Sequence, residues 1–150
     1  MRLRLAVAAI IVRKFADGNK FLACKNKEYP DKILSGMWGL PSGHVEEGET
    51  PDTAVSRETV EEAHLKAKVA ELIDVHYRLS FDELGRPTTT VIFYFLMEEE
   101  DATAEPIPGD DVEELRFVDT PEFAKLVGSP FIQARIPGTV WNKLSSINST

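Results

Sequence analysis

Between Thr50 and Leu65 the chain carries the helix that its sequence specifies most fully, and long strand-like runs lie on both sides of it. Thr50 is a good N-cap, Pro51 suits the first helical position, and Asp52 places negative charge in the first turn. Nothing breaks the helix from Pro51 to about Ala63, and Ala54, Val55 and Val60 offer apolar contact toward a sheet. Upstream, "LRLAVAAIIVRK" and "KFLACKNK" read as two strands joined at Asp17-Gly18, a hairpin turn signal. "EYPDKILSGMWGLPSG" reads as a loop with a short strand near Trp38 to Leu40. Downstream, "KAKVAELIDVHYRLS" and "TTTVIFYFLMEE" read as long strands flanking the turn-like "FDELGRP". The acidic "EEDATAEPIPGDD" is a loop, "VEELRFVD" a further strand and "TPEFAKLV" a short helix opened by Thr120 and Pro121, with a last helix within Pro137 to Ile147. The pattern predicts an α/β layered fold with a mixed sheet.

With 150 residues, 43% of them hydrophobic and 28% charged, the chain is expected to form one domain over 1–150 with a sizeable core. Its formal net charge of -8 repels polyphosphate backbones, so no nucleic-acid polymer is expected as a partner. A small anionic substrate remains compatible, held through metal ions and local cations. The lone Cys24 cannot form an internal disulfide, which fits a reducing, cytoplasmic setting. The opening "MRLRLAVAAIIVRKF" has the charge and apolar order of a signal peptide, but Arg13 and Lys14 close the run at strand length and "ADGN" turns it into a second one. No segment approaches the roughly 20 apolar residues of a membrane span.

The chemistry concentrates in the helix. Glu58, Glu61 and Glu62 stand at i, i+3 and i+4, which puts three carboxylates on one face with Arg57 as the nearest cation. Like charges so placed repel, and a merely solvated face would gain from interleaved lysines. Three hard oxygen donors suit Mg²⁺, or Mn²⁺, which retain waters and substrate phosphates. Glu49 lies just before the cap, and Arg57 is placed to orient a neighbouring carboxylate.

The stretch "GHVEEGETPDTAVSRETVEEAHL" resembles the signature of the Nudix hydrolases at Gly43, Glu49, Arg57, Glu58, Glu61, Glu62 and Leu65, and "WGLPSG" resembles the family's lead-in. Two positions depart from the pattern. Thr59 stands at an aliphatic site, where it can pack as Val does with its hydroxyl bonded back to the helix. His64 stands at the final glycine site, where it reads as a left-handed helix cap rather than a ligand. The resemblance implies an α/β/α sandwich and hydrolysis of a nucleoside diphosphate linked to a group X. Glu58 and Glu62 would be the principal metal ligands, Glu61 would share metal or water, and the Ser42 main-chain carbonyl would join them. A general base would come from these glutamates or from "GDDVEELRF", where Asp110, Asp111, Glu113 and Glu114 are candidates and Asp111, six residues before Phe117, is favoured.

Lys25 and Lys27 fall on one face of the second strand and are placed to meet phosphates. Trp38, Tyr77, Phe81 and Phe95 are candidates to stack on a base, with Trp38 and Phe81 preferred. His44 and His76 lack zinc-ligand spacing. The runs "RETVEEAHL" and "WGLPSGH" are most similar to MutT-like members, which implies a nucleoside or deoxynucleoside triphosphate cleaved to a monophosphate and pyrophosphate. ADP-ribose or a dinucleotide is the second substrate reading, and a non-catalytic nucleotide-binding module the second class of function. A homodimer is left open.

Overall fold

The computed structural model describes residues 2–29, 35–82 and 84–148. Residues 30–34 of the expected loop and residue 83 of the expected turn lie outside this set. The elements in chain order are β1 (Arg2–Phe15), β2 (Gly18–Asn26), β3 (Trp38–Gly39), β4 (Ser42–His44), α1 (Pro51–Ala63), β5 (Ala67–Phe81), β6 (Pro87–Glu99), β7 (Val112–Val118), α2 (Thr120–Val127), α3 (Pro130–Gln133) and α4 (Gly138–Asn148). The sequence anticipates the long strands and α1, α2 and α4. It does not anticipate β4 or α3, which are too short to show a period.

The strands run β3-β2-β1-β6-β5, with β4 paired to β1 and β7 to β2. β1 and β6 are parallel and every other pair is antiparallel, so the sheet is mixed. β1 serves two neighbours on its far side: residues 6–8 pair with β4, and residues 12–15 pair with β2 around the Gly18 turn. Gly18 has φ +124, a value that L side chains rarely adopt.

Alternation along β1 feeds two cores, one on each face of the sheet. Val7, Ala9 and Ile11 pack with Leu22, Phe95 and Met97 under Ala54, Val55 and Ala63 of α1. Ala8 and Ile10 pack on the other face with Phe21, Tyr94 and Val118 under Phe123 and Val127 of α2 and Val140 and Leu144 of α4. Phe21 and Phe123 meet edge to face, with ring centroids 5.1 Å apart. Burying a side chain such as Phe123 or Leu144 contributes about 1.5–3 kcal/mol, so α2 and α4 are held mainly by this apolar face. Helix on sheet on helix is the α/β/α order the resemblance implies.

The buried face of α1 is Ala54, Val55, Thr59 and Ala63. Val60, expected to face the sheet, is 43% exposed, because the 55-59-63 row takes the sheet and turns residue 60 outward. The inward position goes to Thr59, whose hydroxyl donates to the Val55 carbonyl at 2.8 Å. Its polar group is thereby satisfied inside the core, as its β-branched shape and back-bonding predict. His64 ends the helix at φ 54, ψ 33, the left-handed cap expected of it.

Candidate active site

α1 delivers its acidic face to a corner formed by β4, the end of β2 and the loop that precedes β7. The spacing of four carries Glu58 and Glu62 inward, while Glu61 stays at the solvent edge with its side chain 56% exposed. The expected convergence is therefore uneven, because 100° of rotation per residue cannot point three neighbours at one spot. Among the described residues no group of three His, Cys, Asp or Glu side chains is drawn together in metal-holding geometry.

Gly43 shows why the inward pair fits. A Cβ on Gly43 would lie 2.0 Å from the carboxyl carbon of Glu58, so the Glu58 carboxylate occupies the space that any side chain at 43 would fill. Burial pushes the Glu58 carboxyl above its usual range, against the opposing pull of Arg57. Burial first, and then the Glu58 charge, push Glu62 up to about 8. Glu62 is supported by the Ser42 main chain and by the Cys24 thiol, 3.5 Å from Oε2. Cys24 is buried, and burial together with the Glu62 charge raises its pKa well above the usual thiol value, so it donates as a neutral group. Asp111 also lies close enough for its charge to raise Glu62 further.

Arg57 organises the mouth of this corner. Its Nε and Nη2 donate to the two carboxylate oxygens of Glu49 at 2.7 and 2.8 Å, and Nη2 also donates to the His44 carbonyl at 3.0 Å. Its Nη1 donates to Glu58 at 2.9 Å and to Glu61 at 3.1 Å. The bidentate pair holds Glu49 down to about 2, with the Glu46 main chain assisting. Arg57 thus ties α1 to the loop before it and fixes one oxygen each of Glu58 and Glu61.

The remaining candidates are placed unequally. Asp111 is exposed, accepts from the Tyr29 hydroxyl at 3.1 Å, and its carbonyl accepts from the Lys27 amide. Lys25 pairs with Glu113 at 3.4 Å and lies beside Trp38 in the β2–β3 ladder. Lys27 is one residue past the end of β2, beyond a register shift at Lys25/Asn26, so strand alternation does not bring it to the face of Lys25. Trp38 carries the Arg116 guanidinium over its ring at 5.0 Å. Phe81 stands opposite Pro87 at the far end of the β5–β6 hairpin and is 74% exposed. Seven residues along β6, roughly 23 Å, separate that position from Tyr94, whose rung carries Ser42. The structure does not bring Phe81 to the box. Phe95 is in the core and Tyr77 is on the exposed edge strand.

Two participants were not read from the sequence. The lone Cys24 points in the sequence only to a reducing setting, although its strand position beside Lys25 and opposite Gly39 places it at the site. Gly109 is the other: a Cβ there would lie 1.8 Å from the Glu61 carbonyl oxygen, and its amide donates to the Glu62 carbonyl at 2.9 Å. Together with Ile107, whose amide meets the Ala63 carbonyl, it docks the 105–111 loop on the open end of α1 and sets Asp111 near Glu62.

A NUDIX domain model matches residues 2–135. Over 125 residues the chain is 34% identical to an ADP-ribose pyrophosphatase of Methanocaldococcus jannaschii, an alignment that spans 83% of this chain and 69% of that one. Over 72 residues it is 38% identical to a MutT-like protein of Streptomyces ambofaciens, spanning 48% of this chain and 41% of the other. A NUDIX hydrolase from Nitrosomonas europaea superposes with a TM-score of 0.68 at 23% identity, over 97% of this chain and 72% of that one. The fold and the site thus define an α/β/α hydrolase built around an acidic helix. The chain belongs to the Nudix hydrolase family, whose members use divalent metal ions.

Proposed function

We propose that the protein is a Mg²⁺-dependent pyrophosphohydrolase of nucleoside diphosphates linked to a group X, with Mn²⁺ as a substitute ion. The observation that carries this reading is the half-buried pair Glu58 and Glu62, pressed against Gly43 and the Ser42 main chain where burial penalises their charge. A cation relieves that penalty. The donor set is hard oxygen, and two carboxylates with a main-chain carbonyl leave positions for water and phosphate oxygens, which is how Mg²⁺ is generally held. Bound there, the ion would neutralise diphosphate oxygens and acidify a water. Glu58, Glu62 and the Ser42 carbonyl would hold it. Glu61, exposed and held by Arg57 through Oε2, would orient water at the rim. Arg57 keeps Glu58 and Glu49 in place, and Asp111 is the proton acceptor favoured outside the box.

For X, the relative aligned over most of both chains is named ADP-ribose pyrophosphatase, which favours ADP-ribose first. The nucleoside triphosphate reading is supported by the box run and by the MutT-like relative, aligned over about half of this chain. A hydrolysis panel of ADP-ribose, dinucleotides and nucleoside triphosphates with Mg²⁺ or Mn²⁺, with products identified, tests both. Glu62→Gln is expected to lose at least about 100-fold in kcat. Nucleotide binding without turnover in the wild type would instead establish a non-catalytic module.

We also propose a homodimer through the outer half of the sheet. Val75, Tyr77, Leu79 and Phe81 alternate along edge strand β5 at 46%, 68%, 73% and 74% exposure, an apolar row on the same face of the sheet as Val7 and Phe93, along the outer stretch that α1 leaves uncovered.

A further inference from the structure

The arginines of this acidic chain fall into two sets. Arg2, Arg13, Arg57, Arg86 and Arg116 each meet a carboxylate. Among the described residues Arg4, Arg78 and Arg135 meet none within ion-pair distance, and all three belong to one region on the face of the sheet away from α1. Arg4 and Arg78 both pair with Thr90, so they occupy one rung across β1, β6 and β5 and point to one face. Arg78 Nη2 donates to the Arg135 carbonyl at 3.0 Å, which brings the segment between α3 and α4 down over that rung. Burial first, and then the Arg78 charge, press Arg135 below its usual range. The next rung carries His76 and, through Ala6, His44. Asp74, the acid nearest along β5, is engaged by the Thr139 hydroxyl. Among the described residues this positive charge has no carboxylate within ion-pair distance, which in a chain of net charge -8 is a cost to the fold.

β4 relates this cluster to the candidate active site. Gly43 pairs with Val7 and turns toward Glu58, whereas His44 pairs with Ala6 and turns toward the arginines. The two sites lie on opposite faces of the same short strand, carried by the successive residues Gly43 and His44, so the diphosphate held at one does not also fill the other.

We propose that Arg4, Arg78 and Arg135 form an oxyanion site for a phosphate monoester carried outside the cleaved diphosphate, so that the preferred substrates are nucleoside diphosphate derivatives bearing a further phosphate. Guanidinium forks match the several oxygens of a phosphate dianion and its charge. The substrate assignment rests on the hydrolase reading above, while the oxyanion site does not.

Calorimetry with inorganic phosphate in metal-free buffer, on wild type, Arg4→Gln, Arg135→Gln and Glu62→Gln, tests the site. Wild type and Glu62→Gln are expected to bind alike, and each arginine variant about tenfold more weakly. Arg4 is an exposed strand residue, so its variant keeps the fold. Kinetics on a dinucleotide with and without a phosphate on its ribose test the substrate: a KM about tenfold lower for the phosphorylated form is expected in wild type and lost in Arg4→Gln and Arg135→Gln. Equal phosphate binding by wild type and both arginine variants, or no binding at all, overturns the site. Equal kcat/KM for the twin dinucleotides overturns the substrate class. Phosphate binding through Arg4 and Arg135 with no hydrolysis of any diphosphate overturns the functional reading and leaves the oxyanion site standing.

Discussion

A single absent Cβ makes room for the Glu58 carboxylate. Gly43→Ala places a methyl 2.0 Å from the Glu58 carboxyl carbon, so Glu58 must swing away while the sheet persists. Activity is expected to fall about 100-fold, the scale of a misplacement near 1 Å, with the far-UV circular dichroism spectrum retained. Glu62 makes the second prediction at this scale. Its carboxyl rises from the ordinary 4.5 to about 8 on folding, so between those values the metal-free folded state binds more protons than the unfolded one. Stability therefore falls as pH rises through that window. In EDTA, melting of the wild type should drop from pH 6 to pH 8.5. Glu62→Gln, which cannot ionise, should lose most of that slope. An unchanged slope would show that Glu62 is ionised across the whole range.

At the scale of elements, α1 depends on its C-terminal end as much as on its acidic face. His64 sits at φ 54 and its Nδ1 lies 2.6 Å from the Ile107 carbonyl. Val at 64 is strained at positive φ and loses that contact, so His64→Val is expected to destabilise by about 2 kcal/mol in urea titration, whereas His64→Gly loses only the contact. Gly109→Ala drives a methyl into the Glu61 carbonyl and should displace the 105–111 loop, costing about 2–3 kcal/mol and lowering activity by moving Asp111. This partnership was only half legible beforehand. Thr50, Pro51 and Asp52 announce the helix start, since capping is local chemistry. The loop that closes its end is brought there from more than 40 residues away, and no local pattern announces it.

For the whole molecule, the apolar row on β5 predicts assembly in solution. Leu79→Glu together with Tyr77→Lys should convert a dimer to a monomer by light scattering, with hydrolysis of small substrates measured in parallel. A wild type that runs as a monomer at all concentrations refutes the homodimer. Among the described residues no helix is long and apolar enough to cross a membrane.

Read alone, the chain already determines the strand runs, the three main helices and the box carboxylates, because periodicity, caps and spacing are properties of contiguous residues. Thr59 and His64 were likewise interpretable, since back-bonding and left-handed caps are local. Tertiary structure decided the rest: that Glu62 rests on Cys24, that Gly109 must lack a side chain, that Lys27 falls past a register shift at the end of β2, that Phe81 lies away from the box, and that Arg4, Arg78 and Arg135 share one face. Each depends on register between strands distant in sequence, and a shift of one residue in that register would send the same side chains to the opposite face.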